Sequence, residues 1–262
     1  VMGPGGVLEN AIGLVGYDNL CMMLYDDREL VGDIFEKIGS SLVEYYRLCA
    51  RYDSVGALIS NDDWGFNTQT MLSPADLREF VFPWHKRIVE TIHAAGKPAI
   101  LHSCGNYTMI FDDLLALGYD ARHSYEDKIV PVEQAYEQFV GKMAVLGGID
   151  MNYLICSSEE EITARCRRIL EQTKERGGYA LGSGNSIPDY VPDEHYFAML
   201  RAVKEGKWKK NAFRYFVCLR VWELCFSAPA PQAVRTKNIS FRKRRRRAWN
   251  RHIRKAGSRL TI

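Results

Sequence analysis

Pro98-Ala99-Ile100-Leu101-His102-Ser103-Cys104-Gly105-Asn106 passes from apolar to polar within one short segment. Such a run reads as a buried strand that delivers a site at its C-terminal end. Side chains alternate along a strand, so His102 and Cys104 share one face and Ser103 takes the other. An imidazole beside a thiol is a soft donor pair, and zinc is its natural occupant, with further ligands drawn from elsewhere in the chain. The bland alternative is a core cysteine and a structural histidine that happen to lie two apart.

Working outward, short apolar segments alternate strictly with amphipathic ones. Val55–Ser60 reads as a strand running into Asn61-Asp62-Asp63-Trp64-Gly65. Tyr119–His123 ends in Ser124-Tyr125-Glu126-Asp127, Met143–Gly148 in Ile149-Asp150, and Tyr179–Leu181 in Gly182-Ser183-Gly184-Asn185. Between them the pattern predicts a long helix over about 26–52. A second helix is opened by Ser73-Pro74, with Ser as cap and Pro in the first turn. Others start at Tyr107, at Pro131, at the capping box of Ser158 and Glu161, and at about Asp193. Short strands, apolar on both faces and separated by helices, argue for a parallel sheet covered by helices. Polar residues at successive strand C-termini are what the mouth of a (β/α)8 barrel looks like in sequence. An open doubly wound sheet also fits the alternation, but no G-x-G-x-x-G follows the first strand.

Composition sets the bounds. Of 262 residues, 47% are hydrophobic and 26% charged, an ordinary globular balance. No stretch approaches the ~18 apolar residues that span a bilayer, and no signal-peptide pattern is present. The seven cysteines are scattered without framework spacing, which predicts reduced thiols in a cytoplasmic protein. The net charge of +3 hides a split: residues 1–206 hold 18 Lys and Arg against 31 Asp and Glu, whereas 207–262 hold 17 against one. The basic stretch, with Arg242-Lys243-Arg244-Arg245-Arg246-Arg247, reads as a disordered tail foreign to the domain, and nucleic acid is not the expected partner despite its charge. The opening Gly3-Pro4-Gly5-Gly6 has the character of a mid-domain loop, which predicts that residues precede Val1.

In this order the motifs Gly16-Tyr17-Asp18-Asn19-Leu20, Asp62-Asp63-Trp64-Gly65, Leu72-Ser73-Pro74, Phe82-Pro83-Trp84-His85, Leu101–Asn106, Gly147-Gly148-Ile149-Asp150 and Leu181–Pro188 resemble the uroporphyrinogen decarboxylase superfamily. The resemblance covers about residues 1–206. It implies a (β/α)8 TIM barrel of the uroporphyrinogen decarboxylase type that starts near the end of its third strand and lacks the first two. His-x-Cys-Gly-Asn further resembles the zinc-dependent methyltransferase branch, typified by methylcobamide:coenzyme M methyltransferases. That branch adds a cysteine after its eighth strand, where this chain has Ser183; the decarboxylases usually place a histidine near that point. The decarboxylases' substrate-binding arginines and catalytic Asp fall in the part that precedes Val1.

The expected assignments follow from these readings. His102 and Cys104 are metal ligands, and one of the strand-end acids Asp62, Asp63, Glu126 or Asp150 replaces the absent cysteine or orients His102. Asp62, Asp63 and Glu126 are the catalytic candidates; Ser183, Asn185 and Asp150 are the substrate-binding ones. His123 lies before a weak strand end and is expected to face the helices. Cys156 and Cys166 are poor ligand candidates. The implied function is zinc-dependent transfer of a methyl group between a corrinoid, presented by a partner protein, and a thiol or related small acceptor. The alternatives are porphyrinogen decarboxylation and a catalytically inactive barrel.

Overall fold

Among the described residues five parallel strands form one sheet in the order in which they occur in the chain. They are β1 (Leu58–Asn61), β2 (Ala99–His102), β3 (Ala121–His123), β4 (Ala144–Leu146) and β5 (Tyr179–Ala180). The computed structural model describes residues 1–205, so the basic segment predicted as a foreign tail lies outside the described residues. Sequential neighbours without a reversal of strand order are barrel topology; a doubly wound sheet reverses at a switch point. At the β1 edge the Ile59 amide donates to the Val1 carbonyl (2.7 Å) and the Gly3 amide to the Ile59 carbonyl (3.0 Å). Val1–Gly3 therefore pairs with β1 as a further parallel segment.

Among the described residues ten α-helices accompany the strands. Before β1 lie α1 (Val7–Val15), α2 (Tyr17–Asp26) and α3 (Arg28–Cys49). Between β1 and β2 come α4 (Pro74–Asp76) and α5 (Phe82–Ala94). Then follow α6 (Phe111–Ala116), α7 (Val132–Phe139), α8 (Met151–Cys156), α9 (Glu159–Thr173) and α10 (Asp193–Glu205). The sequence pattern predicts one helix from Ser73 to Gly96, but Leu77–Val81 is a π-helical turn that joins α4 to α5. Pro83 explains it: a proline has no N–H to donate, and its ring crowds the carbonyl four residues earlier, so the helix widens there.

Helices α1 and α2 are not anticipated by the sequence pattern. For α1 the reason is physical. Its N-cap is Gly6, which offers no side chain, and the missing cap comes from 55 residues away. Asp62 Oδ2 accepts from the amides of Val7 and Leu8, both at 3.0 Å, and Oδ1 from Glu9 at 2.9 Å. A carboxylate on the free amides of a first turn satisfies donors and complements the helix dipole.

The two faces of the sheet differ as the alternation requires. Leu58, Leu101, Val145 and Tyr179 pack against the helices in the main core. Ala57, Ile100 and Ala121, with Ile59, Ala144 and Leu146 against them, make a second and smaller core on the opposite face. Each fully buried Leu or Val contributes roughly 1.5–3 kcal/mol. That second face carries on, one strand step later, into His102 and Cys104.

Candidate metal centre

His102 closes β2 and Cys104 follows in the first loop residues. The thiol Sγ stands 3.8 Å from His102 Nε2. A carboxylate oxygen of Asp63 joins them, and the three donor atoms lie within 4.8 Å of one another. Tetrahedral zinc with N and S bonds of about 2.05 and 2.3 Å would set its two donors about 3.5 Å apart. The His102–Cys104 spacing therefore fits a zinc ion after a small closure, and the Asp63 oxygen lies within 4.8 Å of both donors.

Two loops hold this arrangement. Asp63 Oδ1 accepts a hydrogen bond from the Cys104 amide at 2.7 Å, and the Asn106 amide donates to the Phe66 carbonyl at 2.8 Å. Gly105 sits between them with a φ of 89°, and a Cβ there would fall 2.0 Å from the Gly65 carbonyl oxygen. Only glycine permits both the left-handed backbone and the approach. Asn185, from the loop after β5, donates from Nδ2 to Cys104 Sγ at 3.3 Å.

Burial and then the negative charge of Asp63 push the Cys104 thiol up to about 11. Burial pushes His102 below the usual imidazole range. Glu126 is raised by burial and by the nearby carboxylates of Asp150 and Asp63. Glu126 also lines a small cavity with Gly105, Tyr107, Ser124 and Tyr125. The protein thus presents, at neutral pH, a neutral imidazole and a protonated thiol that a divalent cation would deprotonate.

His123 corrects an expectation. It pairs with His102 across the β2–β3 register, so it faces the site and not the helices. The two Nδ1 atoms are 2.8 Å apart, and His123 Nε2 donates to the Ser183 carbonyl at 3.0 Å. Burial, followed by the neighbouring His102, pushes His123 down to about 4.

Other expected residues are placed differently from their reading. Asp62 is completely buried. Besides capping α1, it accepts from Trp64 Nε1 at 3.0 Å and from His85 Nε2 at 2.8 Å. Five donors thus converge on its two oxygens, which tie α1, Trp64 and His85 together. Asp150 caps α8 through the amides of Asn152 (2.8 Å) and Tyr153 (3.1 Å) and ties down the Asp127 amide (2.9 Å). Asp150, expected at the substrate, is tied to these three backbone amides. Ser183 is 3% exposed and reaches the site through its carbonyl. Cys156 is exposed and Cys166 buried, both apart from the cluster.

The family model for uroporphyrinogen decarboxylase (URO-D) matches residues 1–206. The chain belongs to the uroporphyrinogen decarboxylase family. It is 29% identical over 211 residues to a uroporphyrinogen decarboxylase of Anaeromyxobacter dehalogenans, covering 80% of this chain and 58% of that protein. It is also 25% identical over 193 residues to a methylated-thiol–coenzyme M methyltransferase of Methanosarcina mazei, covering 73% of this chain and 49% of that one. Among solved structures, a methyltransferase from Methanosarcina mazei superposes with a TM-score of 0.63 at 20% identity, over 77% of this chain and 57% of that one. That likeness bears on the fold. The chain spans about half to three-fifths of the length of the curated relatives it matches. No helix among the described residues is long and apolar enough to cross a membrane.

Within this family frame, one residue that sequence reasoning passed over is Arg122. It is 2% exposed and donates to the carbonyls of Ser124 (2.8 Å) and Ser103 (2.9 Å). Its guanidinium lies between the rings of Tyr107 (4.4 Å) and Tyr125 (4.8 Å). It thereby locks the chain just beyond His102 and His123. The available signal was an arginine within a short strand, where a charge needs fixed partners.

Proposed function

We propose that the centre binds one zinc ion through Asp63, His102 and Cys104, and that the chain acts in zinc-dependent transfer of a methyl group between a corrinoid and a thiol or related acceptor. The observation that carries this reading is the convergence of carboxylate, imidazole and thiol donors within 4.8 Å at the C-terminal ends of adjacent strands. Bound there, zinc supplies a Lewis acid that lowers the pKa of a coordinated substrate thiol and keeps it as thiolate.

The protein's own groups do the rest. Asp63 supplies the third ligand where the resemblance leads to a cysteine at Ser183. Asn185 Nδ2 donates to the Cys104 sulfur and holds it toward the ligand cluster. Glu126 has its pKa raised by burial and by Asp150 and Asp63. It is therefore a better base than an exposed carboxylate, and its Oε atoms receive the proton released by the acceptor thiol. A corrinoid-carrying partner presents the methyl group at the barrel mouth.

Porphyrinogen decarboxylation is the second reading, favoured by the names of relatives such as the Anaeromyxobacter protein. The described site is acidic. Asp63 and Glu126 at the site would repel a polycarboxylate, and Arg122 is buried and engaged with carbonyls.

The test is zinc content per folded chain, followed by demethylation of methylcobalamin with a small thiol as acceptor. About one zinc per chain, with turnover lost together with the metal in Cys104→Ser, supports the proposal. A folded chain that takes up no zinc overturns it.

A further inference from the structure

The proposed zinc site leaves His102 with two ring nitrogens, and only an unprotonated nitrogen can ligate a metal. Which nitrogen that is depends on hydrogen bonds made away from the ligand cluster. Ser183 contributes a carbonyl oxygen, which can only accept, so His123 Nε2 must carry a proton to satisfy the 3.0 Å contact. A neutral His123 then has a bare Nδ1. That atom is 2.8 Å from His102 Nδ1, and a contact this short between two nitrogens needs one proton between them. The proton therefore belongs to His102 Nδ1. The lone pair of His102 is left on Nε2, the atom that stands 3.8 Å from Cys104 Sγ.

We propose that His123 is a positioning residue that sets the tautomer of His102: a chain of hydrogen bonds from the Ser183 carbonyl through both imidazoles aims the His102 Nε2 lone pair at Cys104 and Asp63. The inference rests on the zinc reading above for its purpose, but not for its geometry.

The backbone is built around this chain. The rings of His102 and His123 lie 4.9 Å apart and 31° from parallel. Gly147 has a φ of 74°, and a Cβ on it would lie 2.3 Å from the Ser183 carbonyl oxygen and 2.7 Å from the His123 ring. Any other residue at 147 would occupy the space through which His123 reaches Ser183. Arg122 holds the carbonyls on either side of the pair, at Ser103 and Ser124. Outer hydrogen bonds of this kind orient a ligating imidazole, and losing one typically lowers metal affinity 10- to 100-fold. Ser183 thus serves the centre through its main chain.

The experiment is long-range 1H–15N correlation of histidine rings in the metal-free full chain, which reports the tautomer of each ring directly. The expected result is Nδ1–H for His102 and Nε2–H for His123. In His123→Phe, which has no acceptor, His102 should move toward Nε2–H and zinc affinity should fall 10- to 100-fold. In His123→Asn, whose side-chain oxygen can stand near the Nδ1 position, the Nδ1–H form and much of the affinity should return. Nε2–H on His102 in the wild type overturns the proposal, as does an unchanged tautomer in a folded His123→Phe. If His123→Phe does not fold, the wild-type tautomers and the asparagine variant still decide. A wild type that shows Nδ1–H on His102 but takes up no zinc upholds the relay and overturns only the zinc reading.

Discussion

The carboxylate of Asp63 and the backbone amide of Cys104 are joined by a 2.7 Å hydrogen bond, so two proposed ligands from different strands are fixed to each other by main chain. This contact separates a charge effect from a packing effect. Asp63→Asn keeps an oxygen for the Cys104 amide but removes the anionic ligand. We expect its melting temperature to stay close to wild type while zinc affinity, measured by competition with a chromogenic chelator, drops at least tenfold. Equal affinity in the two proteins would remove Asp63 from the ligand set.

Cys104 gives a pH prediction. With the thiol raised to about 11, about one molecule in a thousand is thiolate at pH 8, against roughly a quarter for an ordinary cysteine near 8.5. In the metal-free protein Cys104 should therefore alkylate far more slowly than exposed Cys156 below pH 9 and accelerate through pH 10–11. The raised value means that the proton is present at neutral pH, so zinc binding should release it. Calorimetry in buffers of different ionisation enthalpy should show about one proton lost per zinc.

Asp62 tests the structural assignment. It is buried with five donors, and truncation leaves the α1 amides, Trp64 and His85 without their acceptor. Asp62→Ala should cost about 3–5 kcal/mol of unfolding free energy in urea. If a folded Asp62→Ala variant retained stability but lost zinc, a role at the metal centre would replace the structural one.

Arg165 carries an acid-stability prediction. It pairs with Asp127 at 2.5 Å and Glu133 at 2.8 Å. Burial alone would raise Glu133, but the Arg165 hydrogen bonds outweigh it and hold the carboxyl below its ordinary value. A depressed folded pKa adds stability above the unfolded value of 4.5 and loses it as pH falls through the folded one. Arg165→Met should lower stability at pH 6 and flatten the loss below pH 4.5, read from urea midpoints across that range. A slope unchanged by the substitution would assign the acid lability to other carboxylates.

Gly105 links loop geometry to the site. Gly105→Ala forces a Cβ to 2.0 Å from the Gly65 carbonyl at positive φ. The two loops must part, carrying Cys104 away from Asp63. Zinc affinity should fall, and stability with it, since the left-handed backbone alone costs a non-glycine residue about 1–2 kcal/mol and the clash falls on the buried Gly65. Zinc affinity equal to wild type in Gly105→Ala would show that the loop contact does not position Cys104.

Much of the architecture was legible because it is written in local periodicity. Each of the five predicted strands is present, and the alternation along Ile100, Leu101, His102, Ser103 and Cys104 assigned their faces as observed. The Ser158–Glu161 capping box opens α9 as expected. What was not legible depends on partners distant in sequence. Helix α1 is capped by Asp62, a partner that nothing within residues 1–15 could name. The four strand-end acids look alike in sequence, yet Asp62 and Asp150 turn their oxygens onto helix amides while Asp63 joins the donor cluster.

By itself, then, the sequence determined the strand–helix alternation, the parallel sheet, and the placing of His102 and Cys104 on one face, since these follow from side-chain spacing along a single strand. Tertiary structure alone decided which acid joins them and that His123 stands behind His102. Those relationships depend on register between neighbouring strands and on which amides remain free at each helix start, quantities that exist only once the strands are side by side.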